Sequence, residues 1–369
     1  MYETREAFMS HYPLLTVYQD RITRNAGAIC RACAEKGISV AGVVKGACGV
    51  LPVIRAVAAG SVSQIASSRL DQLARSKAAL PDMPTMLIRL PQISEAAETV
   101  AFCDYSLNSE EQTLRALSEA AVRAGVLHKV ILMVELGDLR EGVFSQEALL
   151  SLAELAEALP GLTLAGVGAN LNCVYAVCPS EENMNRLVQA AEAVERLIGH
   201  PLEIVSGGST TSIPMMLEGG LPEKINHLRV GEAILAGQDL PFFWHCQAEG
   251  AEGDALLLEA EIIECGVKPS APWGRQQTNA FGELPPKAED RGLRRRAILA
   301  MGRQDIGDPS QLICLEPGAK VIAASSDHLL VDVEDCPRVL KPGDILAFRM
   351  FYESMLFAFH SGYVTKEYR

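Results

Sequence analysis

The feature that most constrains this chain is an alternation running from residue 14 to about residue 235. Short β-branched runs occupy residues 38–44, 64–67, 85–90, 104–107, 129–136, 162–170, 202–206 and 227–230. Ala/Leu-rich amphipathic stretches lie between them. In those at 109–124, 146–158 and 181–198, apolar residues recur at three- and four-residue spacing, the period of a helix with one buried face. Eight strands with intervening helices predict a parallel (β/α)8 barrel. A doubly wound sheet is the alternative, but no GxGxxG follows the first run.

After about residue 240 the helical period fades. Alternating runs at 255–264, 297–301, 320–323, 329–333, 345–349 and 356–360 are separated by turn signals such as Lys341-Pro342-Gly343-Asp344, which predicts strands and turns. The expectation is a barrel over residues 1–238 followed by an all-β domain over 239–369. Residues 266–296, rich in Pro, Gly and charge, read as one long loop. The run Arg291, Arg294, Arg295 and Arg296 reads as a solvated or subunit-facing patch.

With 49% apolar and 5% aromatic residues, the core must be built mainly from aliphatic side chains. The formal charge of −13 argues against a nucleic-acid partner, which needs a net basic face, and against an anionic membrane surface. The uncharged stretch 160–179 is as long as a membrane span. It holds three glycines and two asparagines between prolines, so a buried strand entering a functional loop is expected instead. The ten cysteines are scattered, and residues 1–7 contain no apolar signal core. Reduced thiols and a cytoplasmic location are therefore expected. Cys30 and Cys33 form a lone CxxC in a helical stretch, with no second pair to make a metal site, so no metal is expected.

In such a barrel the active site forms at the C-terminal ends of the strands. The first core run ends Val43-Val44-Lys45. A lysine there has its stem in an apolar wall, which lowers its pKa and suits a Schiff-base nucleophile; the plain alternative is a solvated strand end. The seventh run passes into Ser206-Gly207-Gly208-Ser209-Thr210-Thr211-Ser212. Its glycines allow close backbone approach, and its N–H and hydroxyl groups face an anion at a helix start. The eighth run carries Arg229 before Gly231. A lysine on the first strand and a phosphate cradle on a late one point to pyridoxal phosphate. A permanently protonated Arg229 on its pyridine nitrogen would weaken the ring as an electron sink and favour simple proton exchange at Cα.

These residues carry a family resemblance. Val43-Val44-Lys45, Leu136-Gly137-Asp138-Leu139-Arg140-Glu141-Gly142, 205–212, Leu228-Arg229-Val230-Gly231-Glu232, and in the β domain 289–292, 296–305, 324–329 and 348–352 resemble the fold-type III pyridoxal-phosphate enzymes of the alanine racemase superfamily, most closely its ornithine racemase group. The resemblance covers essentially the whole chain. It implies a head-to-tail homodimer in which each β domain completes the partner's active site. It implies that Lys45 holds the cofactor and is one of two proton-transfer bases. It also implies that Ser209, Thr210 and the Gly208 and Gly231 backbones hold the phosphate with Tyr352 reaching the same group, and that Arg229 faces the ring nitrogen. Arg140 matches an arginine near the cofactor oxygen and the substrate carboxylate.

The chain departs from alanine racemases in several places. Residues 269–274 and 46–49 lack the tyrosines found there, Met133 replaces a carbamylated lysine, and Asn170 replaces the histidine that stacks on the cofactor ring. The second base is therefore open among Cys48, Cys173 and His328. Asp290, Asp305 and Asp327 are candidates to bind a side-chain ammonium. The expected activity is racemisation of a small amino acid, ornithine, lysine or a relative. The rivals are a decarboxylase on the same scaffold and a cofactor-binding protein without turnover.

Overall fold

The computed structural model describes residues 11–284 and 289–369. The chain divides into two compact units. One is Gln19–Glu252, and the other combines the segment up to Tyr18 with Gly253–Arg369.

Strand β1 (Leu14–Val17) belongs to the second unit. The first unit contains β2 (Ser39–Val43), β3 (Gln64–Ser67), β4 (Thr85–Leu87), β5 (Tyr105–Asn108), β6 (His128–Met133), β7 (Leu162–Gly168), β8 (Ile204–Ser206) and β9 (His227–Val230). They close in that order into a parallel barrel, with β9 returning to β2 through Ser39↔His227 and Val40↔Leu228. All eight expected strands are present, some shorter than their apolar runs. Alternation along each strand separates two cores. Ile131 and Met133 of β6 point inward with Ala41, Val43, Met86, Leu107 and Ala165. Val130 and Leu132 point outward, against Leu114 and Leu117 of helix Glu111–Ala124, Leu149 of helix Gln146–Ala158 and Leu187 of helix Glu181–Ile198. The last of these helices starts with a Ser180/Asn183 capping box and stops at Gly199, which is left-handed. Both residue types suit those positions.

The second unit holds β10 (Leu256–Pro269), β11 (Leu293–Leu299), β12 (Leu312–Cys314), β13 (Lys320–Ala324), β14 (Leu329–Asp332), β15 (Ile345–Met350) and β16 (Thr365–Tyr368). Their sheet runs β12-β15-β10-β11-β14-β13, and β1 pairs antiparallel with β10 and parallel with β16. Leu258, Ala260 and Ile262 alternate into a core shared with Leu15, Val17, Leu346 and Phe348.

The structure corrects three details of the sequence reading. Residues 356–360 are not a strand but part of helix Tyr352–His360. Its buried residues Ser354, Met355, Ala358 and Phe359 fall on one helical face, and Ser354 Oγ donates to Ile306 O at 2.7 Å. The long loop is shorter than 266–296, because Gly266–Pro269 pairs with Leu293–Arg296. There Arg294 is tied to Asp332 and Asp335, and Arg296 donates to Ser270 O. The units also part after Glu252 rather than 238, since Asn25 holds Glu252 by both backbone groups, at 2.8 and 2.9 Å.

Candidate active site

Lys45 stands at the C-terminal end of β2, as the first residue of a one-turn helix, Lys45–Ala47. Burial pulls its amine below the ordinary lysine range. The charges acting on it are those of Cys173 and Glu141, which oppose that shift, and of Arg140 and Arg229, which add to it. Five side chains from the ends of β2, β6, β7 and β9 thus share one electrostatic neighbourhood.

Arg229 is buried on β9. Its Nη2 donates to Ala169 O at 2.7 Å, and its Nη1 donates to Ser206 Oγ. Burial lowers the guanidinium to about 10, so it remains protonated at neutral pH. Ser206 Oγ lies 2.8 Å from His227 Nδ1. Because the guanidinium can only donate, Ser206 Oγ accepts from it and joins Arg229 to His227. Burial holds that imidazole neutral, with its pKa lowered to about 3.

Arg140 and Cys173 sit on the loops after β6 and β7. Two carboxylates that the sequence reading did not single out build these loops. Glu135 accepts from the backbone N–H groups of Leu139 and Arg140, each at 3.0 Å, and from that of Gly137. Asp138 is buried and accepts from Cys173, Val174, Tyr175 and Val177. Burial raises its carboxyl pKa, but these four amides outweigh that and hold it below the ordinary value. Leu139, Asn172 and Ala176 take positive φ of 49°, 61° and 55°, so this backbone stores strain that the two carboxylates hold in place. Gly142 takes φ +129° where a Cβ would lie 2.6 Å from Glu135 N.

The Arg140 guanidinium forms a two-point ion pair with Glu141 through Nε and Nη2. With the Asn170 amide oriented so that its oxygen faces the guanidinium, that oxygen accepts from Nη2 at 2.8 Å and Nη1 at 3.2 Å. The same end of the amide lies 3.0 Å from Cys173 Sγ. Most Arg140 donors are thus already engaged.

The proposed anion cradle lies between the ends of β8 and β9. Ser209 precedes the helical turn Thr210–Ser212, and Thr210 Oγ1 accepts from Ala233 N at 3.3 Å, joining the two loops. Gly208 takes φ +110°, and a Cβ there would lie 2.6 Å from Ser212 Oγ; at Gly231 it would lie 3.1 Å from Val43 Cβ. A side chain at Gly208 would be both strained and crowded, and one at Gly231 would be tightly packed. A desolvated amine, a buried guanidinium and a glycine-lined turn of N–H and hydroxyl groups together match the donor set that a phosphate-bearing carbonyl cofactor requires.

Residues 17–239 match the alanine racemase N-terminal domain family. The chain belongs to the alanine racemase family. It is 39% identical to the ornithine racemase of Acetoanaerobium sticklandii, over 96% of this chain and 99% of that protein. It is 36% identical to the lysine racemase of Thermotoga maritima, over 97% and 98%. Among solved structures, the alanine racemase of Streptomyces lavendulae matches with a TM-score of 0.73 at 16% identity, covering 96% of each chain. The D-threo-3-hydroxyaspartate dehydratase of Delftia sp. HT23 matches with a TM-score of 0.70 at 18% identity, covering 94% and 92%. These two share the fold of this alanine racemase family member.

Six sequence candidates remain. Cys48 ends the Lys45 turn in a left-handed conformation. The other five are on the sheet unit. Tyr352 opens a helix. His328 is exposed, with its backbone N–H on Ser325 Oγ. Asp305 is buried and accepts from Ser361 Oγ at 2.7 Å and Gly302 N at 3.0 Å. Asp290 accepts from Gly292 N within a turn and from Ser270 Oγ across the hairpin. Asp327 accepts from Gln304 and Ser326. The Cys30 and Cys33 thiols, in helix Gln19–Ala34, are pushed up to about 11 and 12 by burial, which makes them inert.

Proposed function

We propose that this chain is a pyridoxal-phosphate-dependent amino-acid racemase acting on ornithine, lysine or a closely related diamino acid. The observation that carries the reading is the desolvated Lys45 amine at the end of β2, inside the field of Arg140, Glu141, Arg229 and Cys173. The near-full-length similarity to an ornithine and a lysine racemase supports it.

Pyridoxal phosphate, when bound, supplies an electrophilic carbonyl and a conjugated ring that acidifies the substrate's Cα–H bond. Lys45 offers an amine whose lowered pKa favours the neutral form, able to tether that carbonyl and to accept a proton. Ser209, Thr210 and the Gly208 and Gly231 backbones would hold the phosphate. Arg229 would present a fixed positive charge to the ring nitrogen. Fastened by Ser206 and Ala169, it keeps its proton, so it disfavours protonation of that nitrogen and limits chemistry beyond proton exchange. Arg140 would orient the substrate carboxylate with its remaining donor, or by loosening from Glu141.

We also propose a head-to-tail homodimer. Leu139, Phe144, Val174 and Tyr175 on the barrel loops are 57–77% exposed, an apolar rim of the kind that marks an interface; a monomeric mass in light scattering would remove this. With ten cysteines and no disulfide among them, a reducing compartment such as the cytosol suits the protein. Among the described residues no helix is long and apolar enough to cross a membrane.

The deciding experiment is proton NMR of the cofactor-loaded protein in heavy water with L-ornithine and L-lysine, followed by chiral chromatography. Loss of the Cα signal with appearance of the D-isomer is expected for the wild type and not for Lys45→Ala. Release of carbon dioxide with a new amine would make it a decarboxylase. Cofactor binding without exchange would make it a carrier.

A further inference from the structure

We propose that the thiol of Cys173 is the second proton-transfer group of this site, facing the substrate carbon opposite Lys45. The inference rests on the racemase reading above. Racemisation needs one group to take the Cα proton and another to return a proton from the other side. Lys45 can serve one face.

Cys173 is a titratable group that the structure brings to Lys45 without an ion-pair partner that consumes it. It interacts with Lys45, Arg140 and Arg229 alike, so its sulfur lies among three cations. Its backbone is fixed by Asp138 at 2.9 Å, and its Sγ is 3.0 Å from the Asn170 amide. It is exposed at the barrel mouth, where a ligand can reach it. Glu141, the other anion near Lys45, is occupied by its two-point pair with Arg140.

In one direction Cys173 Sγ, as thiolate, takes the Cα proton and becomes a thiol. Lys45 Nζ, as ammonium, gives a proton to the opposite face of the same carbon and becomes a neutral amine. The C–H electron pair stays with the substrate and takes up the second proton, so nothing is oxidised or reduced. In the other direction the roles exchange, and the two groups reset through solvent.

The test compares wild-type and Cys173→Ala holoenzyme in heavy water with each enantiomer of ornithine and of lysine. Racemisation by the variant is expected to fall about a hundredfold or more in both directions. One enantiomer alone should still exchange its Cα proton with solvent, through Lys45. Racemisation within a few-fold of wild type overturns the proposal. Loss of exchange from both enantiomers by a variant with normal cofactor absorbance overturns it too. A wild type that racemises no diamino acid overturns the racemase reading itself, and this inference with it.

A second measurement needs no cofactor. Iodoacetamide labelling of the cofactor-free protein, read by peptide mass spectrometry, should show Cys173 reacting several-fold more slowly in Arg140→Gln than in wild type. Cys178 serves as the internal reference. An unchanged Cys173 rate removes the electrostatic basis and overturns the proposal.

Discussion

The carboxylate of Asp138 accepts the peptide N–H of Cys173 at 2.9 Å, tying the loop after β6 to the loop after β7. It also takes three further amides of the same segment. Removing this buried acceptor would free four loop N–H groups at once and cut the tie between the two loops.

Asp138→Ala is therefore expected to lower the melting temperature by several degrees and to reduce kcat/KM more than tenfold. Asp138→Asn, which keeps one acceptor oxygen, should fall between. Because the folded state holds this carboxyl below its ordinary value, its contribution is present above the unfolded carboxylate pKa, about 3.9. It is lost as pH falls through the folded value. The stability gap between wild type and Asp138→Asn should narrow on acidification. A constant gap in urea titrations from pH 7 to pH 3 would contradict this.

Gly208→Ala forces a Cβ to within 2.6 Å of Ser212 Oγ at φ +110°. Such strain costs about 1–3 kcal/mol, and it falls on the proposed phosphate cradle. The dissociation constant for pyridoxal phosphate, read by absorbance titration, should rise tenfold or more. Gly266→Ala is the control: a Cβ there meets nothing within 4 Å, and its affinity should match wild type.

Glu232 follows Gly231 and is buried. Its Oε1 accepts from Gln238 N and Asp239 N, while Oε2 has no partner among the described residues. Burial, with the Asp239 carboxylate beside it, pushes its carboxyl pKa up. The folded state then favours the protonated acid, so stability is full below about pH 4.3, the ordinary glutamate value, and declines as pH rises toward the raised value. Glu232→Gln should flatten the fall of melting temperature between pH 5 and 8. An unchanged slope in differential scanning calorimetry would show that Glu232 titrates normally.

The barrel was legible because parallel strands covered on both faces read as short apolar runs, and those at 64–67 and 227–230 coincide with β3 and β9. Helix Tyr352–His360 was misread because Leu356-Phe357-Ala358-Phe359 is a four-residue apolar run, too short for periodicity to separate helix from strand. Arg294 looked like loop because its charge hides a strand position whose side chain reaches Asp332. Lys45, Arg140, Asn170, Cys173 and Arg229 could be named from the sequence, and the structure gathers them in one barrel mouth. Glu135 could not, and Asp138 stood in a quoted motif without a role, because both act as acceptors for backbone amides, and residue type alone does not display a partner. Glu141 stood in a quoted motif, but its two-point grip on Arg140 appears only in side-chain geometry.

Strand β1 lies before the barrel in the chain and β16 after it, yet Leu14 sits beside Thr365 in one parallel ladder. The sheet unit is thus a sentence interrupted by a long parenthesis. During synthesis its opening strand must wait unpaired on that edge while about 350 residues emerge, and only then can its parallel neighbour arrive. The barrel has every contact of its closed ring encoded between Ser39 and Val230 and is free to form first. A few residues trimmed from the last strand would therefore be felt at the first one, because two distant stretches of message share a single seam.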